Sequence, residues 1–210
     1  MNRRLVKCLH NVSIAIAVIL FFPHAADAHL VTTGLGPVYD GIGHLVLSVD
    51  DLIPVMALAL LAGQRGPKSG RWTLFILPIA WLIGGLFGMQ AKHETEFPFQ
   101  CISFIIIGIL VATNLPLPAP IIAIVAIVLG IAHGYANGTA IQDAGKAAGL
   151  LEFIGIMVSL FVIVTLLAAL VISLRWDWTK IVVRVAGSWV FAIGLLLLGW
   201  ALKSSQVIQK

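Results

Sequence analysis

His29-Leu-Val-Thr-Thr-Gly-Leu-Gly-Pro-Val-Tyr-Asp40-Gly-Ile-Gly-His44-Leu-Val-Leu-Ser-Val-Asp50-Asp51 leads into the apolar run from Leu52 to Gly63. The stretch crowds two histidines, three aspartates and four glycines into the approach to, and first turns of, a hydrophobic segment. Read as one helix from Asp40 to Gly63, at about 100° per residue, it puts Asp40, His44 and Asp51 within roughly 40° of one another on one face. Such a face is a polar stripe entering a membrane. The competing reading takes Ser48-Val-Asp-Asp51 as a capping signal that starts the helix late and breaks the stripe. Asp50 falls about 80° off the stripe and reads as interfacial.

Composition sets the class around that stretch. Sixty per cent of the residues are hydrophobic and ten per cent charged, and the mean hydropathy of +1.05 is far above that of a domain with a polar surface. The expected fold is all-α: a polytopic membrane protein. A net charge of +4 is small and gives nucleic-acid binding no support. Cys8 and Cys101 lie in different apolar segments without CxxC spacing.

Residues 1–28 have the pattern of a cleavable signal peptide. Arg3, Arg4 and Lys7 precede the apolar run Val12 to Phe22, and Ala26-Asp27-Ala28 is an A-x-A cleavage site. An uncleaved first transmembrane helix is the alternative, for which the run is short. Cleavage makes His29 the mature N-terminus, where its imidazole and the α-amine form a nitrogen pair suited to Ni(II) or Cu(II). The rest, residues 29–210, reads as a single transmembrane domain.

About six membrane helices are expected in it: Gly41 to Gly63, Trp72 to Met89, Phe99 to Thr113, Pro120 to Tyr135, Leu150 to Leu174 and Ile181 to Leu202. The third and fourth are short, so their ends belong against protein. Pro54 and Pro78 predict kinks, and Gly84, Gly85 and Gly88 a face for close helix packing. With a cleaved signal, His29 is periplasmic. The first loop, with Arg65, Lys68 and Arg71, and the loop Arg175 to Lys180 are then cytoplasmic, as the positive-inside rule requires of an inner-membrane protein. Lys203 and Lys210 fall on the wrong side for that rule.

On this map His29, His44, His93 and His133 all lie at or just below the periplasmic surface. His133 and Asn137 are four apart and share a helix face. Glu152 is an ionisable group at the edge of a long apolar run, a functional candidate by its insertion cost of about 2.5 to 3.5 kcal/mol. Each has a plainer reading. His44 packs helices, Asp40 caps one, His93 sits on a solvated loop, Glu152 snorkels, and His133 with Asn137 is interhelical hydrogen-bonding glue. Their conjunction describes an N/O metal site near an entrance, with His29, Asp40, His44, His133, Asp51, Glu152, Asn137 and His93 as its candidate ligands.

These residues resemble the HupE/UreJ family, small membrane proteins associated with nickel supply to hydrogenase and urease. The resemblance covers helix count, signal peptide and both histidine regions, and is nearest the branch whose mature chain begins His-Leu-Val-Thr-Thr-Gly-Leu-Gly-Pro. The family motif, His-Pro followed by Gly-x-Asp-His, is partly present. Gly36 stands before Pro37 in place of the first histidine, Gly43 precedes His44 in place of aspartate, and Asp40 lies a turn earlier. His44 carries over, with Asp40 and His29 as substitutes for the missing ligands. Asn137 stands where an acidic residue would bind a cation more strongly.

The resemblance implies a secondary uptake permease for a divalent transition metal, nickel first or cobalt, and not an enzyme. No G-x-x-x-x-G-K-[ST] motif is present to bind nucleotide. Expected partners are the metal ion, the lipid bilayer, a second copy of the chain and metalloenzyme maturation proteins. Three readings compete: a copper-binding or copper-transporting protein using His29; an intramembrane zinc hydrolase, for which no serine adjoins a His/Asp pair; and a passive metal receptor.

Overall fold

Gly36-Pro37 and Gly66-Pro67 each start a helix in the computed structural model, which describes residues 33–91, 99–141 and 145–208. Both glycines are left-handed, at φ 107° and 92°, a conformation that glycine alone adopts without strain. Each proline then occupies the first helical position, where its missing N–H costs nothing. Seven helices follow among the described residues: α1 Pro37–Leu47, α2 Val49–Gln64, α3 Pro67–Gly88, α4 Phe99–Thr113, α5 Ala119–Ile141, α6 Lys146–Ser173 and α7 Asp177–Ile208.

Four of these are long and apolar enough to cross a membrane: α3, α5, α6 and the Asp177–Lys203 part of α7. The pair α1 and α2 is long and apolar enough only when taken together, as a broken span or a re-entrant loop bent by 74° at the single residue between them. Of the six expected spans the third has the short length expected of it, and the first is corrected. α4 has 15 residues, about 22 Å at 1.5 Å each against a hydrocarbon core of roughly 30 Å. The first span is broken at Ser48, so Asp40, His44 and Asp51 share no continuous helical face.

Ser48 is extended, at ψ 97°. Its N–H closes α1 on the His44 carbonyl at 2.9 Å, and its own carbonyl accepts the Asp51 and Leu52 N–H groups at 3.1 and 2.8 Å. Asp50 and Asp51 then sit in the first turn of α2, where negative charge favours a helix N-terminus. The late start therefore wins, and the break falls at Ser48 while Pro54 stays inside α2.

α5 continues past the expected end at Tyr135. Asn137 and Thr139, polar residues that suggest a surface, are buried in the bundle at 4% and 8% exposure. The reason is a glycine contact between α3 and α5. A methyl group on Gly84 or Gly88 would collide with the carbonyl of Ile131 or Tyr135, and one on Gly134 or Gly138 with that of Trp81 or Gly85. The two backbones touch along both helices, and that contact extends α5 to Ile141. Small residues join two other pairs in the same way, Gly41 and Gly155 between α1 and α6, and Gly108 and Gly187 between α4 and α7. Trp81, Phe104 and Phe153 fill the centre, and α7 turns Trp189, Leu196 and Trp200 outward, where a bilayer would meet them.

Candidate metal centre

The glycine contact fixes which side of α5 faces inward, and His133 lies on that side without any exposure. Its ring stacks on Trp81, with centroids 5.5 Å apart, and meets the edge of Phe99 at 5.2 Å. Between aromatic walls the ring has only its two nitrogens for polar contact. Nδ1 is 2.7 Å from Asp51 Oδ1, and Nε2 is 3.1 Å from Ser103 Oγ. With Asp51 ionised, Nδ1 carries the proton it donates, and the Nε2 lone pair faces Ser103. The Ser103 hydroxyl also lies 2.7 Å from the Gln100 carbonyl, so its one proton is shared between two acceptors.

Asp51 is the hub of this network. Besides His133 it accepts from Asn137, whose Nδ2 is 2.9 Å from Oδ2 and the same distance from the His133 carbonyl. His44 arrives from the far side of the Ser48 bend, with Nε2 3.8 Å from the same Oδ2. That separation is an ion-pair contact, too long for a hydrogen bond. The bend thus returns His44 to Asp51 by a different route from the expected straight stripe. Asn137 Oδ1 is buried beside this cluster with no protein partner.

Four of the expected ligands therefore come together: His44, Asp51, His133 and Asn137. Asp40 and Glu152 do not join them. Asp40 Oδ1 is taken by the Thr33 N–H at 2.5 Å and the Thr33 hydroxyl at 2.6 Å, local bonds that tie down the entry to α1. Glu152, 6% exposed, lies within electrostatic reach of Asp40. Asp50 is exposed, as an interfacial residue should be. His29 and His93 lie outside the described residues. Ser103, Trp81 and Phe99 are the additions that spacing could not find, since Ser103 is 30 residues from His133 and Asp51 is 82.

Among the described residues, no group of three or more His, Cys, Asp or Glu side chains has metal-holding geometry. The donors are of the right kind, two imidazoles, a carboxylate and an amide oxygen, but they are closed on one another by hydrogen bonds.

The HupE / UreJ protein family matches the chain over residues 16–197. The chain belongs to the HupE/UreJ family. No curated protein and no solved structure matches it significantly. HupE/UreJ proteins are transporter-type membrane proteins associated with nickel and cobalt transport, which makes a divalent metal ion the cargo class. The HupE/UreJ match includes every residue of the His44–Asp51–His133–Asn137 network and Ser103.

Proposed function

We propose that this HupE/UreJ protein is a secondary permease that admits a divalent transition metal, nickel first and cobalt second, from the periplasm across the inner membrane. The observation that carries the reading is the convergence of His44 and His133, from separate helices, on the buried carboxylate of Asp51. A mixed N/O donor set suits borderline divalent ions. An entering ion would take the place of the proton between His133 Nδ1 and Asp51, with that proton passing to Nε2, where Ser103 Oγ accepts it, and would draw in Asn137 Oδ1, the acceptor left without a partner. His29, His93, Asp40 and Glu152 serve the approach to this point, with the processed N-terminus and the acidic pair facing outward and the basic turn around Arg65 inward. Inward movement of a divalent ion gains about 4.6 kcal/mol per 100 mV of membrane potential, twice the single-charge figure, so no ATPase is needed. A second copy of the chain and maturation proteins that take the metal on are the partners this role calls for.

Radioactive nickel uptake by expressing cells tests the reading. His44→Ala lowers accumulation if the entry site is correct, and equal accumulation by the two proteins overturns it. Flux into proteoliposomes separates a permease from a receptor that only binds.

One observation favours a second reading, of the hydrolase class. Ser103, His133 and Asp51 are hydrogen-bonded in the order of a serine-nucleophile relay, a constellation absent from the linear sequence. A fluorophosphonate probe decides between the two: the permease reading expects no labelling, whereas labelling lost in Ser103→Ala would establish the enzyme.

A further inference from the structure

At the opposite end of α2 the chain turns through Arg65, and the charge pattern there has no use in the histidine site. Arg65, Lys68 and Arg71 at the turn from α2 to α3, and Arg175, Lys180 and Arg184 at the turn from α6 to α7, lie at this end, and among the described residues Asp177 is the carboxylate in these two turns. Asp177 is spent on Lys180, 2.9 Å away. Arg184 Nε donates to the Ala112 carbonyl at 2.9 Å, and Arg65 Nη2 donates to the side-chain oxygen of Asn114 and to its carbonyl at 3.3 Å. Two full positive charges thus lean on the C-terminus of α4, which offers about half a negative charge.

Arg65 is anchored at this turn by its bonds to Asn114. Asn114 is left-handed, at φ 51°, and the Gln64 side chain clamps the Val111 carbonyl at 3.2 Å. Burial lowers the pKa of the guanidinium from its ordinary value without a carboxylate to restore it. Beside it opens a cavity of about 560 Å³, lined by Gln64, Arg65, Asn114 and Lys180 on its polar side and by Val171 and Val183 on its apolar side. A guanidinium anchored on Asn114, an exposed ammonium that a phosphate can draw from Asp177, and an apolar wall fit a tetrahedral oxyanion carrying an organic tail.

We infer that this cavity binds a phosphate group, with Arg65 as its fixed donor and Lys180 as its closing one. The phosphate comes from a phospholipid headgroup, whose glycerol and first methylenes lie along Val171 and Val183, or from the free ion. The site is independent of metal transport, and its failure would leave the permease reading untouched.

The test uses the full chain, delipidated in neutral detergent, and follows the melting temperature on adding phosphatidylglycerol, diacylglycerol of the same acyl chains, or inorganic phosphate. Phosphatidylglycerol raises the melting temperature and diacylglycerol does not; a rise with inorganic phosphate alone assigns the free ion as the source. Lys180→Gln keeps the Arg65–Asn114 bonds and so decides the matter even where Arg65→Gln fails to fold. It weakens the phosphate response about tenfold in concentration, the loss of one charge-assisted contact, whereas exposed Lys203→Gln leaves it unchanged. Equal stabilisation by diacylglycerol, or an unaltered response in Lys180→Gln, overturns the inference.

Discussion

Where α2 begins, Asp51 is buried at 5% exposure and gathers two imidazoles and an amide; where α2 finishes, Arg65 is half-buried and meets only an asparagine and a carbonyl. Four described acids, Asp40, Asp50, Asp51 and Glu152, lie at the first end, and six lysines and arginines at the second. At the first end a buried carboxylate is compensated inside the protein by imidazole and amide side chains. At the second, compensation is left to a helix terminus and whatever the surroundings supply. A buried charge with a complete set of partners is a site whose removal must be felt in folding, whereas a charge with incomplete partners is felt chiefly in binding.

The sharpest way to break that contrast is Asp51→Ala. It removes the acceptor of His133 Nδ1 and one of the two acceptors of Asn137 Nδ2 where both side chains are buried, and breaking a buried pair costs about 3–5 kcal/mol. Chemical denaturation in detergent should show a loss of that size, with nickel uptake at background. A loss below about 1 kcal/mol would place Asp51 in contact with water and remove the distinction between the two ends.

The next effect tests what holds the histidine end together. Gly134→Val pushes a branched side chain into the Trp81 carbonyl, the point where α3 and α5 touch. Overpacking costs about 1–3 kcal/mol, and because Trp81 also stacks on His133, uptake falls with stability. The same substitution at Gly199, which faces open space, leaves both unchanged.

His44→Ala should separate binding from folding. At 3.8 Å from Asp51, with its side chain 12% exposed, His44 is in ion-pair contact with the carboxylate but makes no hydrogen bond to it. Its loss should lower nickel uptake about tenfold, equivalent to about 1.4 kcal/mol, while the denaturation midpoint stays in place. A shifted midpoint would make His44 a packing residue.

Much of this was legible in the residues. Apolar runs and loop charge foretold a helical membrane protein, and the i, i+4 pair His133 and Asn137 faces one way as its spacing requires. Gly84, Gly85 and Gly88 announced a close contact, and Gly138 on α5 meets Gly85 and Gly88 across it. What periodicity cannot carry is a bend. A stripe computed at 100° per residue assumes the helix continues, and the extended Ser48 ends that assumption even though His44 and Asp51 meet again beyond it. Nor does a serine in an apolar run declare itself: Ser103 gains meaning only when α4 is laid against α5.

The smallest expected effect bears on that bend. Ser48 occupies the N-cap of α2, where a serine side chain commonly contributes about 1 kcal/mol by bonding a free N–H. Here its hydroxyl makes no cap bond; the turn is closed by main-chain atoms alone. Ser48→Ala should therefore change stability by less than about 0.5 kcal/mol, and uptake should match the parent. The bend would then be held from outside, by Gly41 and Gly155 locking α1 to α6 and by the pull of Asp51 on α5. A loss near 1 kcal/mol would return the cause to Ser48 itself, making the break a local property of the sequence that supplies the site and not a consequence of how the bundle packs.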